Sequence, residues 1–318
     1  MVLSRFAALV AIAACVLACK TAKPDSTGSS AESRPQAPQT AASSARPPGK
    51  REDAAAAAAK RAKRLAPTKV GSKANASNTG PSNRGALRPW PYGSTYLDTP
   101  GAVYENFALN GCIEIDADNI TLRNFVINCD GGYGIRQYNG HEGTIIEDGE
   151  ITGRLQSAGI YGLGFTARRI YIHDGEGDAI KTDSMSPGLT IVEDSFVECM
   201  GVGVPDPHTD AVQIEVVPTH PGMIFRRNHF YLPTPNSNPK CPTAAGGSGI
   251  FTVTDGVANV DVYDNWLNGG TFTVDVEAAS LDVHDNLFGH DNQYGVKRGN
   301  FGGTWTNNRW EDTLKVIP

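Results

Sequence analysis

Two short stretches carry most of the side chains that can do chemistry. His208-Thr209-Asp210-Ala211-Val212-Gln213-Ile214-Glu215 sets an imidazole, two carboxylates and an amide around apolar residues. Asp178-Ala179-Ile180-Lys181-Thr182-Asp183 sets an amine between two carboxylates. These types suit proton transfer and the holding of a hard cation. Lys181, His208 and Asp210 are the candidate catalytic residues, because an amine or imidazole can take a proton and a cation can neutralise a substrate carboxylate. Asp178, Asp183 and Glu215 are candidate ligands for Ca²⁺, which takes several carboxylate oxygens. A carboxylate pair drawn from Asp183, Asp210 and Glu215 would instead serve glycoside hydrolysis. The structural alternative is that Asp178 and Asp210 cap turns and that His208, beside Pro207, is an ordinary loop residue.

What must position these residues is a repeat. A β-type apolar alternation ends on a polar residue at 124, 148, 174, 194, 227, 264, 285 and 307. The steps are 20 to 26 residues, apart from two of 33 and 37. A second short strand follows each marker, as in Gly159-Ile160-Tyr161, Ala179-Ile180-Lys181, Ala211-Val212-Gln213 and Gly249-Ile250-Phe251. Each unit is too small to bury its own apolar face, so the units must stack. The pattern predicts an all-β, single-stranded parallel β-helix, since a propeller blade needs about twice the length per repeat.

Stacking at roughly 4.8 Å per coil turns the alignment into geometry. Ile135, Ile160, Ile180, Val212, Ile250, Val274, Val296 and Leu314 are expected inward. Arg136, Tyr161, Lys181, Gln213, Phe251, Asp275 and Lys297 are expected outward in one column, with Asp183, Glu215, Val253 and Glu277 in the next. Such a long polar face suits an extended polysaccharide. Tyr161, Phe251 and Tyr294 would be its aromatic platforms, and Gln213, Asp275, Lys297 and Arg298 its polar partners. The marker residues would line a turn, and Arg123, Glu147, His173, Glu193 and Arg226 a ladder of opposite charges. The long steps put insertions at about 198–208 and 232–247, beside the second strands, where insertions usually line a functional face.

Residues 89–318 hold Cys112, Cys129, Cys199 and Cys241. Cys129 and Cys199 lie three coils apart, about 14 Å, beyond disulfide reach. Cys112–Cys129 and Cys199–Cys241 are the favoured pairs.

The N-terminal part has another character. Residues 1–19 have a basic start, a short apolar run and Leu17-Ala18-Cys19, which looks like a bacterial lipobox and implies lipidation of Cys19. Ile12-Ala13-Ala14-Cys15 is a second match. Residues 20–88 are Ala-, Ser-, Pro- and Lys-rich and read as a disordered linker. Residues 20–88 carry a net charge of +10 and residues 89–318 one of −17. A domain at −17 repels nucleic acid and other polyanions. The reading is of an exported monomer, anchored by lipid to the outer membrane or cell surface or else secreted, that meets the membrane through Cys19 alone.

The repeat resembles the right-handed parallel β-helix superfamily of pectate-lyase-like proteins over residues 95–318. His208-Thr-Asp210-Ala-Val-Gln213 is similar to a His-x-Asp-Gly-Ile-Gln stretch of bacterial lyase-like β-helix proteins. Gly177-Asp178 resembles the Asp-Asp pair of polygalacturonases, but Gly stands in the first position and no Gly-His-Gly or Arg-Ile-Lys follows. The resemblance implies a polysaccharide lyase that cleaves a uronate-containing polymer by β-elimination. A carbohydrate-binding or cell-envelope structural β-helix, or a glycoside hydrolase, are the alternatives.

Overall fold

The computed structural model describes residues 72–183, 185–203, 208–215, 220–232, 241 and 249–318. The signal segment, Cys19, residues 20–71, residues 204–207 of the first insertion and most of the second lie outside them. All described residues belong to one compact unit, Gly49–Pro318.

The chain forms a parallel β-helix. Strands collect into a 16-stranded and a nine-stranded sheet, and every pairing between named strands is parallel. The nine-stranded sheet runs Tyr96–Leu97, Ile113–Ile115, Tyr133–Gln137, Ala158–Tyr161, Asp178–Thr182, Asp210–Ile214, Gly249–Val253, Phe272–Ala279 and Gly295–Phe301. The larger sheet starts as long strands, such as Thr144–Thr152. It then forks into two limbs, Phe165–Arg168 and Tyr171–His173 being the first such pair.

The fork is a stacked corner. Asn106, Asn124, Asp148, Arg169, Asp194, Arg227, Asp264, Asp285 and Asn307 follow in register, all with φ between 52° and 60°. Short polar side chains tolerate this left-handed backbone because they bond locally. Arg169 and Arg227 have no such ease. Each is held instead by a two-toothed bond to the corner aspartate of the preceding coil. Arg169 donates to Asp148 at 2.5 and 3.0 Å, and Arg227 to Asp194 at 2.8 and 3.0 Å.

This corrects one register. Asp174 was expected in the corner column, but Arg169 occupies it. Tyr171–His173 belongs to the second limb, paired with Phe196–Glu198. Arg168 therefore takes the place expected of His173 in the charge ladder, between Glu147 and Glu193.

Inside the next bend runs a ladder of buried amides. Oδ1 of Asn228 accepts the Ser195 N–H, and Asn265, Asn286 and Asn308 repeat the contact down the stack at 2.9 to 3.2 Å. Apolar columns complete the core. Ile113, Ile135, Ile160, Ile180, Val212, Phe251 and Val274 stack in register. Leu314, expected there, is exposed.

The folded unit starts earlier than residue 89. Gly80 donates its N–H to the Arg169 carbonyl, Asn83 donates its own to Asn124 Oδ1, and Arg88–Pro89 pairs with Val103–Asn110. Both cysteine pairs are disulfides, Cys112–Cys129 and Cys199–Cys241, with Cα atoms 5.0 and 5.3 Å apart.

Candidate functional site

The outward column of the nine-stranded sheet reads, coil by coil, Tyr96, Glu114, Arg136, Tyr161, Lys181, Gln213, Thr252, Asp275 and Arg298. Alternation within each strand forces this face outward, because its neighbours on either side fill the core. No aliphatic residue enters the column.

At its centre Lys181 is clamped. Its Nζ donates to Gln213 Oε1 at 2.8 Å and to Glu215 Oε1 at 2.9 Å, so adjacent coils meet through one ammonium. Partial burial opposes its charge, but the bond and charge of Glu215 win and its pKa lies above the ordinary lysine value. Tyr161 stands one coil away in register. Burial, followed by the neighbouring Asp183 carboxylate, raises its phenol far above the usual range, so it keeps its proton at neutral pH. Lys181, Gln213, Glu215, Tyr161 and Asp183 are thus the predicted site residues that gather.

Asp178 and Asp210 gather too, but below the surface. Asp178 Oδ1 accepts the Asp210 N–H. Asp210 Oδ1 accepts the Gly249 N–H and the Thr252 hydroxyl, both at 2.7 Å. Only 5% and 1% of the two residues is exposed, which removes them from direct contact with a polymer. Burial raises the pKa of Asp178 to about 7 and carries that of Asp210 well above the carboxylate range. The expectation that Asp210 is an open catalytic group is corrected: its oxygen caps backbone.

His208 is exposed two residues before its strand, and no hydrogen bond links it to the Lys181 cluster among the described residues. The predicted calcium ligands Asp178, Asp183 and Glu215 do not gather within 4.8 Å of one another. The described group that does is Glu198, Cys199 and Cys241, whose thiols are already a disulfide.

Two register slips move other candidates. Gly249 pairs with Asp210, so Phe251 pairs with Val212 and is buried in the core. Thr252 takes its place outside. Val253 is likewise buried, paired with Ile214. A one-residue slip exchanges the faces of a strand. Lys297 pairs with Val274, an inward position at the last coil. There it donates to the Pro318 carbonyl and lies 4.8 Å over Trp305. Arg298 occupies the column instead and pairs with Asp275, its guanidinium 4.9 Å over Phe272. Tyr294 is exposed beside Phe272. This second cluster lies three to four coils from Lys181, roughly 14 to 19 Å.

Sequence reasoning missed the other end of the face. His141 lies between Asp116 and Asp118, its ring nitrogens 2.9 and 3.1 Å from their oxygens. Burial opposes its charge, but the two carboxylates raise its pKa, so it favours the imidazolium. A cleft of about 490 Å³ lies elsewhere, on the larger sheet, between Asn75 and Ser77 and a floor of Phe196, His229 and Tyr231. It shares no residue with the Lys181 cluster. The cluster is an open face, and recognition of a long polymer needs no enclosed pocket.

Comparison with protein-family models, with curated proteins and with solved structures returns no match. The functional reading therefore rests on the geometry.

Proposed function

We propose that the outward face of the nine-stranded sheet binds an acidic polysaccharide and cleaves it by β-elimination. The observation that carries the reading is the clamped ammonium of Lys181 on an exposed polar ladder with a protonated phenol one coil away. β-Elimination needs the uronate carboxylate neutralised, the C5 proton removed and the departing O4 protonated. Lys181 serves the first need. Tyr161 serves the third. Glu215, 2.9 Å from Lys181 Nζ, serves the second once the substrate carboxylate replaces it on the ammonium. In this scheme C5–H and C4–O break, a C4–C5 double bond forms, and the two protons end on Glu215 and the leaving oxygen.

The parallel β-helix and the resemblance to pectate-lyase-like proteins support the polysaccharide class. The Leu17-Ala18-Cys19 sequence supports export with a lipid anchor at Cys19, and the strong negative charge of residues 89–318 disfavours nucleic acid. Binding without cleavage is the second reading. It is favoured by the burial of Asp178 and Asp210, which takes both carboxyls away from the open face.

The test is incubation with pectate, alginate and glycosaminoglycans, with and without Ca²⁺. A rise in unsaturated-uronate absorbance that is lost in Lys181→Ala supports the reading. Reducing ends without that absorbance would mean hydrolysis, and retention of polymer without products would mean binding alone.

A further inference from the structure

Arg136 stands in the outward column two coils before Lys181 and differs from its neighbours. Among the described residues its guanidinium has no ion pair, although residues 89–318 hold 30 acidic and only 13 basic side chains. Three tyrosines surround it instead. Its Cζ lies 4.6 Å from the ring centroid of Tyr138, 5.4 Å from Tyr133 and 5.7 Å from Tyr161. Tyr133 and Tyr161 are themselves in contact, with centroids 4.5 Å apart. The Nε–H is buried and makes no hydrogen bond.

This is an unusual state for arginine. An unsatisfied buried donor is costly, and more so when it is charged. Nε and an adjacent Nη form the fork that fits a carboxylate with two parallel bonds once a tyrosine ring moves off the covered Nε. The tyrosine walls hold the fork in place through cation–π contact and reduce competition from water. Their rings also offer flat apolar surface to the C–H faces of a sugar.

We infer that Arg136 with Tyr133, Tyr138 and Tyr161 is a subsite for the carboxylate of a uronic acid. The inference deepens the polysaccharide reading and rests on it for the polymer to which that sugar belongs. Arg136 is two strands from Lys181, roughly 10 Å, which matches about two sugar lengths and makes Tyr161 the shared wall between subsites. An alternating polymer with one uronate in every two sugars fits this spacing.

The test titrates the full chain with glucuronate, galacturonate, the matching neutral sugars, acetate and inorganic phosphate, following the Arg136 Nε–H signal by NMR. Uronate is expected to shift that signal, with affinity at least tenfold above the neutral sugar and above acetate. Arg136→Gln and Arg136→Lys are expected to lose it at least tenfold, because lysine keeps the charge but not the fork. An unmoved Nε–H signal in the wild type would overturn the inference whether or not the variants fold. So would equal binding of neutral sugar, or phosphate and acetate binding as well as uronate. If Arg136→Gln cleaves polymer as the wild type does, the subsite falls and the lyase reading stands. If uronate binds at Arg136 but no polymer is cleaved, the subsite stands and the lyase reading falls.

Discussion

The backbone N–H of Asp210 donates to the carboxylate of Asp178, one coil below, at 2.8 Å. Two buried carboxylates thus stand in consecutive coils, each caping an amide of the coil above it. Asp178 has a folded pKa of about 7 against an ordinary 3.8, chiefly from burial. A carboxyl raised in the folded state favours folding most below the unfolded value and loses that contribution as pH rises toward 7. Asp178→Asn keeps the acceptor and removes the charge. It is expected to be more stable than wild type at pH 8, by on the order of 2–4 kcal/mol, and nearly equal at pH 4. Urea unfolding at both pH values checks this, and parallel pH profiles would contradict it.

Two histidines are expected to act in opposite directions. His229 is partly buried with its ring against the Ala74 carbonyl, and desolvation lowers its pKa from 6.5 to about 4. Its contribution is lost as pH falls from 6.5 toward 4. For His173 burial again opposes the charge, but Asp174 and Glu150 outweigh it and raise the value to about 9. Its contribution is lost as pH rises from 6.5 toward 9. Melting temperatures across pH should therefore show His229→Gln flattening the acid limb and His173→Gln the alkaline limb. The reverse assignment would refute the account.

The amide ladder should be a main support of the later coils. Asn265 donates to the carbonyls of Phe225 and Tyr263 and to Asn286 Oδ1, while its own Oδ1 accepts the Asn228 N–H. Asn265→Ala leaves several buried groups unpaired and is expected to cost roughly 2–4 kcal/mol. A surface change such as Asn307→Ala should cost less. Denaturant midpoints compare the two.

The disulfides close loops of different length, 17 and 42 residues in sequence separation. On loop entropy, losing Cys112–Cys129 should cost about 3 kcal/mol and Cys199–Cys241 about 4 kcal/mol. Paired Cys→Ser variants compared by chemical denaturation test the order.

The repeat was legible because period-two alternation and Asn or Asp corners both leave marks in sequence. Arg169 hid its own corner: arginine is not a left-handed residue by preference, and only the Asp148 carboxylate beneath it explains its place. Phe251 was misassigned because Gly249-Ile250 resembles the Ala-Ile and Ala-Val openings of other coils, and one residue of slip exchanges core for surface. Residues 72–88 looked like linker because they dock through backbone bonds and few large apolar groups. The Arg136 cage depends on tyrosines from different coils, and such contacts appear only when register is right to one residue.

The central claim is β-elimination at the Lys181 face, and the masses of products from a defined uronate oligosaccharide test it most directly. The account predicts fragment pairs whose masses sum to that of the substrate, formed by wild type and not by Lys181→Ala. Fragment pairs heavier than the substrate by one water, or no fragments from any acidic oligosaccharide, would contradict it.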